Sequence, residues 1–147
     1  MREDTHSIRH RVEMEVPPRA LYDAVQRPEA LAAWWTPMVQ GSPEVGATLR
    51  FRFGDGTSGP DMRITALQTD RLVQWDCIEG PWQGMHFSFA IDAHPRGSVL
   101  TFDHSGWPEA SDFYRHCNTK WGFFLAVSLK DYLEKGSGRP HPEDPSI

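Results

Sequence analysis

Near its N-terminus the chain alternates strictly, with Ile8, His10, Val12, Met14 and Val16 on one phase and Arg9, Arg11, Glu13 and Glu15 on the other. A period of two is that of a strand with one buried and one wet face. The same pattern returns in Leu49, Phe51 and Phe53 against Thr48, Arg50 and Arg52, and in Val73, Trp75 and Cys77 against Gln74 and Asp76. It recurs in Met85, Phe87, Phe89 and Ile91 against His86, Ser88, Ala90 and Asp92, and in Leu100, Phe102 and His104 against Val99, Thr101 and Asp103. A further strand is expected over Met62 to Leu67. Gly54 to Pro60, Thr69-Asp70-Arg71, Glu79-Gly80-Pro81 and His94-Pro95-Arg96-Gly97 read as the turns between strands.

Two short helices interrupt this run. Val16-Pro17-Pro18 ends the first strand and opens a helix over Arg19 to Val25, because proline suits the first helical turn. Arg27-Pro28 repeats the device for Glu29 to Trp35, which Thr36-Pro37 closes. After a Gly106-Trp107-Pro108 corner, the chain from about Ala110 to Lys135 has no proline and one glycine, Gly122. Phe113, Cys117, Trp121, Phe124, Ser128 and Tyr132 recur there at spacings of three and four, the signature of one face of a long helix. Gly136 supplies a left-handed stop and Pro140 prevents resumption. Residues 1–140 read as one domain and 141–147, rich in proline, as a flexible tail. The order is α+β with antiparallel pairing. Six twisted antiparallel strands curl, and one helix on the concave side leaves a cavity beneath it.

Charge and composition narrow the partners. With 15 basic against 20 acidic residues the formal charge is −5, which excludes an electrostatic footprint for nucleic acid or anionic lipid. No apolar run approaches the roughly 20 residues of a membrane span, and the polar start Met1-Arg2-Glu3-Asp4-Thr5-His6 lacks a secretion signal. A cytoplasmic protein with two free thiols, Cys77 and Cys117, is the expectation. Six Trp, eight Phe and three Tyr are many for a small acidic chain, and such side chains serve cores and ligand pockets alike.

The element order, with Val16-Pro17-Pro18 entering the first helix, Ala33-Trp34-Trp35 ending the second, the His104-Ser105-Gly106-Trp107 corner and the ending from Ser128-Leu129-Lys130 to Gly136-Ser137-Gly138-Arg139-Pro140, resembles the helix-grip or START-like superfamily, also called SRPBCC. Within it the likeness is to the branch of homologues of the activator of the heat-shock-protein ATPase. The resemblance spans nearly the whole chain and implies a curved six-stranded sheet, two short helices and a long C-terminal helix enclosing a cavity. It further implies the habit of holding an apolar or aromatic small molecule there. The superfamily also includes lipid carriers and polyketide cyclases, so fold does not settle function. What the resemblance transfers to a site is the corner histidine and the helix aromatics that face it.

The inward phases and the helix face nominate Trp35, Phe51, Phe53, Trp75, Phe87, Phe89, Phe102, His104, Trp107, Cys117, Trp121, Phe124 and Ser128 as ligand-binding positions, with Leu49 beside them. Glu13, Glu15, Asp76, Asp92 and Asp103 all fall on outward phases, so a paired-carboxylate mechanism has no support. Uncharged flat or polycyclic ligands follow, since an unpaired buried charge costs several kcal/mol. His104 is the catalytic candidate, able to relay a proton or orient a carbonyl near neutrality. Its plain alternative is a ring bonded locally at the corner, and His10 is more simply structural still. Trp34-Trp35 reads as a gate or as a plug. No His or Cys spacing matches a metal site, and no cofactor is expected. A carrier or sensor is the first reading, and a cyclase, dehydratase or isomerase using His104 with Tyr132 or water is the second. An interaction module stimulating a chaperone ATPase is the third. The oligomeric state stays open, a homodimer included.

Overall fold

A computed structural model describes residues 6–147. Its strands are β1 (His6–Met14), β2 (Met38–Gln40), β3 (Thr48–Arg52), β4 (Asp61–Gln68), β5 (Leu72–Glu79), β6 (His86–His94) and β7 (Gly97–Trp107). They form one curved, unclosed antiparallel sheet in the order β1-β7-β6-β5-β4-β3-β2. Every neighbour is the next strand in sequence except β1, which returns to pair with β7 from Ser7 opposite Ser105 to Met14 opposite Ser98. The sheet has one strand more than the six that alternation predicts. β2 is three residues long, too short to show a period, and it lies along β3 because Thr36 Oγ1 donates to the Arg52 carbonyl at 2.7 Å.

Helices α1 (Pro18–Gln26) and α2 (Pro28–Trp34) both carry proline at the first helical position, as the sequence suggests. Trp34 donates its indole N–H to Ala24 O at 2.8 Å and is fully buried, so it anchors α2 on α1. The C-terminal helix starts as α3 (Asp112–Phe123), capped by Ser111 Oγ, which accepts from the Tyr114 N–H at 3.2 Å. It continues through a π-helical segment, Phe124–Leu129, into α4 (Lys130–Lys135), and Gly136 ends it at φ 86°. The expected single helix is therefore continuous but widened by one π segment. There Ser128 Oγ donates to Trp34 O and accepts from the Arg139 N–H, both at 2.7 Å, locking helix, α2 and the following chain together.

The inward phases meet in register across the sheet. Ile64, Trp75, Phe87, His104 and Ile8 form one cross-strand row, and Val73, Phe89, Phe102 and His10 the next. Most of these are fully buried, each apolar one contributing about 1.5–3 kcal/mol by leaving water. The helices cover this face closely: Trp121 from α3 lies 4.5 Å from Phe102, and Trp35, just past α2, lies 4.5 Å from Phe51, ring centroid to ring centroid. The space under the grip is filled by aromatic rings and not left open.

The free edge of β1 is covered by helix side chains. Tyr114 Oη donates to Ser7 O at 3.0 Å and Lys130 Nζ to Glu13 O at 2.8 Å, while Glu134 accepts from the Glu15 N–H at 2.8 Å.

Candidate functional site

Where the grip opens, at one end of the sheet, a half-open cavity of about 470 Å³ lies between α3, two strand loops and the C-terminal segment. Helix α3 and its π extension present Phe113, His116, Cys117, Lys120, Trp121 and Phe124, spaced by three and four so that they share one face. The β3–β4 turn gives Phe53 and Ser58 to Pro60, the β5–β6 loop gives Pro81 and Trp82, and Trp35 forms the inner wall. These two loops meet backbone to backbone. A Cβ on Gly59 would sit 1.9 Å from Phe51 O, and one on Gly80 would sit 2.8 Å from Gly59 O, so only glycine permits this rim.

Of the positions the sequence nominates, the cavity gathers Trp35, Phe53, Cys117, Trp121 and Phe124. Leu49, Phe51, Trp75, Phe87, Phe89 and Phe102 are buried in the packed rows below it. They are separated from the cavity by Trp35 and Trp121, which lie 5.0 Å apart and close the grip between them. Trp107 packs at the far corner against Tyr114 and Phe113, and Ser128 is spent on the Trp34 and Arg139 bonds. Of the two adjacent tryptophans, Trp34 is the plug and Trp35 the wall, stacked against Trp75 and Trp82 at interplanar angles of 11° and 9°.

His104 also lies below the cavity. It is fully buried, 4.0 Å from the Phe87 ring and 4.9 Å from Trp82, with Nδ1 bonded to the Trp121 indole at 3.1 Å and Nε2 3.2 Å from Met85 Sδ. Burial without a charged partner pushes its pKa down to about 3. It is a neutral, locally bonded corner residue in this structure. His10 is half-buried under α3, and burial lowers its pKa against opposing hydrogen bonds with Asn118, while its Nε2 has no partner among the described residues.

The strands bring no charged side chain to the cavity wall, in line with their phases. Charge enters instead from α3 and from the C-terminal segment. Lys120 Nζ lies 2.5 Å from Asp144 Oδ2 and also donates to the Pro145 carbonyl. Asp144 Oδ1 lies 2.8 Å from His141 Nδ1, and the His141 backbone N–H donates to Trp35 O at 2.8 Å. Asp144 is only 5% exposed and Lys120 21%. Burial raises the Asp144 pKa, but hydrogen bonds from Lys120 and His141 outweigh it and hold the carboxyl below its ordinary value. Lys120, His141, Asp144 and His116 are therefore site residues that sequence patterning missed. Lys120 could have been found from its position between Cys117 and Trp121 on the helix face, whereas nothing periodic marks Asp144.

Two further groups bear on chemistry. Burial pushes the Cys117 thiol up to about 11 against the opposing influence of the Trp82 indole, so it is neutral and unreactive at physiological pH. Apart from that influence on the Cys117 thiol, the Trp82 indole N–H has no acceptor among the described residues. Among the described residues no three His, Cys, Asp or Glu side chains group as metal ligands, and no helix is long and apolar enough to cross a membrane.

Residues 15–134 match the model of the family described as Activator of Hsp90 ATPase homolog 1-like protein. Among solved structures, the Aha1 dimer from Colwellia psychrerythraea is 38% identical, with a TM-score of 0.81 over 90% of this chain and 99% of that one. CalU16 from Micromonospora echinospora is 14% identical, with a TM-score of 0.72 over 97% of this chain and 78% of that one. DynU16, a protein of the dynemicin biosynthetic locus, is 22% identical, with a TM-score of 0.71 over 90% of this chain and 48% of that one. The last two likenesses concern the fold. No curated protein matches the chain.

Proposed function

Since the chain belongs to the Activator of Hsp90 ATPase homolog 1-like family, whose fold here carries a lined cavity at the mouth of the grip, we propose that it binds an apolar or aromatic small molecule as a carrier or sensor. The observation that carries this reading is the wall itself: a cavity of about 470 Å³ whose mainly apolar surface comes from Trp35, Phe53, Trp82, Phe113, Trp121 and Phe124, with polar groups gathered on the side of Lys120 and Asp144. Concave sites with a mostly aromatic lining and a few convergent polar groups are the usual form of small-molecule sites.

A cyclase-type reading is second. It draws support from the imidazoles of His116 and His141 in the cavity lining, and from fold relatives such as the dynemicin-locus protein. His104 does not serve it, being sealed beneath Trp82. Homodimerisation, stated for the Colwellia relative, extends to this chain as a further part of the proposal, as does a cytoplasmic location.

Tryptophan emission tests the reading directly, because Trp35, Trp82 and Trp121 all face the cavity. Titration with a panel of polycyclic aromatics, polyphenols and fatty acids is expected to quench emission saturably and raise the thermal midpoint. A panel that moves neither, alongside a phosphorylated metabolite that moves both, overturns it.

A further inference from the structure

The cavity holds an ion pair where an apolar ligand alone would need none. Lys120 is the cation that α3 places in the wall, and its partner comes from 24 residues further along the chain, on a segment with no regular secondary structure. That segment lies over the cavity, with His141, Asp144, Ser146 and Ile147 in the lining. Asp144 therefore brings a carboxylate, and Ile147 an aliphatic side chain, to the region where a ligand would lie. The Trp82 indole, also in the wall, bears on the Cys117 thiol and has no other partner among the described residues. From the helix the site offers donors: the Lys120 ammonium and the His116 ring. Its charged acceptor is supplied by the C-terminal segment.

We propose that the cavity's ligand carries an acidic head group, a carboxylate or phenolate on an apolar or aromatic body, and that Lys120 is the head-group site which Asp144 occupies in the ligand-free protein. The inference rests on the small-molecule reading above and names the ligand class for it. Lys120 is mostly buried, and a buried ammonium needs an anion beside it. Exchange of one carboxylate for another keeps that requirement satisfied throughout. A neutral ligand that displaces the segment leaves Lys120 unpaired, so the same lysine favours acids and disfavours their neutral analogues. The segment is held at Lys120 through Asp144 and the Pro145 carbonyl, by the His141–Trp35 hydrogen bond and the His141 ring against Phe53, and at its root by the Ser128–Arg139 bond and an Arg139–Asp131 ion pair; an acidic head group has to displace only the contacts at Lys120. A segment seated nine-tenths of the time weakens apparent affinity about tenfold.

The test uses 2-naphthoate and its neutral isostere 2-naphthamide with the full chain, read by tryptophan quenching and calorimetry. The wild type is expected to bind naphthoate in preference to naphthamide. Asp144→Ala should tighten naphthoate binding by about tenfold, the segment no longer competing for Lys120. Lys120→Met should abolish the preference for the acid, and Lys120→Arg, which keeps the charge, should retain it. Should Lys120→Met fail to fold, the Asp144→Ala and Lys120→Arg results still decide. If naphthamide binds as well as naphthoate and Asp144→Ala changes neither, the acidic head-group assignment is overturned while the aromatic cavity stands. If neither compound binds any variant while larger neutral aromatics do, the head-group assignment also falls. If nothing in the panel binds, both readings fall together.

Discussion

Trp121 donates its indole N–H to Nδ1 of His104, joining the long helix to the sheet at the centre of the core. Since an indole nitrogen only donates, Nδ1 must accept, and the imidazole proton sits on Nε2, facing Met85 Sδ. His104→Phe keeps a ring of similar size but leaves the Trp121 N–H without an acceptor. We expect a loss of about 1–3 kcal/mol in urea unfolding, with little change in ligand affinity. A selective loss of affinity at unchanged stability would return His104 to the functional residues.

The same pair sets an acid limit. His104 has its pKa lowered from 6.5 to about 3, so the unfolded chain takes up a proton in that interval that the folded one refuses. Stability is full above 6.5 and falls as pH drops through the window, by about 1.4 kcal/mol per pH unit for this one group. His10, shifted in the same direction, adds to the slope. Urea midpoints between pH 7 and 4.5 should show the decline, and His104→Phe should flatten it.

Phe113 is 45% exposed at the cavity lip with one edge against Trp107, so Phe113→Ala should cost only about 1 kcal/mol of stability. Its ring covers the outer part of any bound molecule, and its removal should weaken binding of multi-ring ligands several-fold by titration. Unchanged affinity would place the ligand deeper, against Trp35.

Cys117 should resist alkylation. With its thiol pushed up to about 11, only about one molecule in a thousand is thiolate at pH 8. Cys77, also raised by burial, donates to Glu79 O at 3.2 Å. Iodoacetamide should label both thiols quickly in urea and neither in native buffer, as read by intact mass.

Gly138 passes so close to α2 that an added Cβ would lie 2.6 Å from Ala33 O and 3.1 Å from Ser128 O. Backbone atoms cannot yield, so Gly138→Ala should cost about 1–3 kcal/mol or lift the C-terminal segment from its seat. Hydrogen exchange distinguishes these outcomes. In the second, the amides of Arg139 and His141, now bonded to Ser128 Oγ and Trp35 O, lose protection while the sheet keeps its own.

The sheet was legible because strand phase is local: Phe87 and Phe89 declare their inward side within their own segment, and register then places them opposite His104 and Phe102. Pro18 and Pro28 announced both short helices for the same reason. The cavity was harder to foresee. Inwardness separates wet from dry but does not say which dry residues border a void, and that depended on Trp35 and Trp121 meeting across the grip. Nor does any periodicity connect Lys120 with Asp144. A segment without repeat, docked by ion pairs at Asp144 and Arg139 and by backbone bonds at Arg139, His141 and Pro145, looks from its prolines like a tail.

The capped margin of β1 limits how two copies of this chain could meet. Strand addition needs a row of free carbonyls and amides. At Ser7, Glu13 and Glu15 those groups already belong to Tyr114, Lys130 and Glu134. A continuous intermolecular sheet through β1 would require the long helix to surrender three bonds at once. At the opposite margin, β2 offers a seam of three residues. Pairing of two copies along the whole of this longer margin is thus opposed by the same element that grips the core.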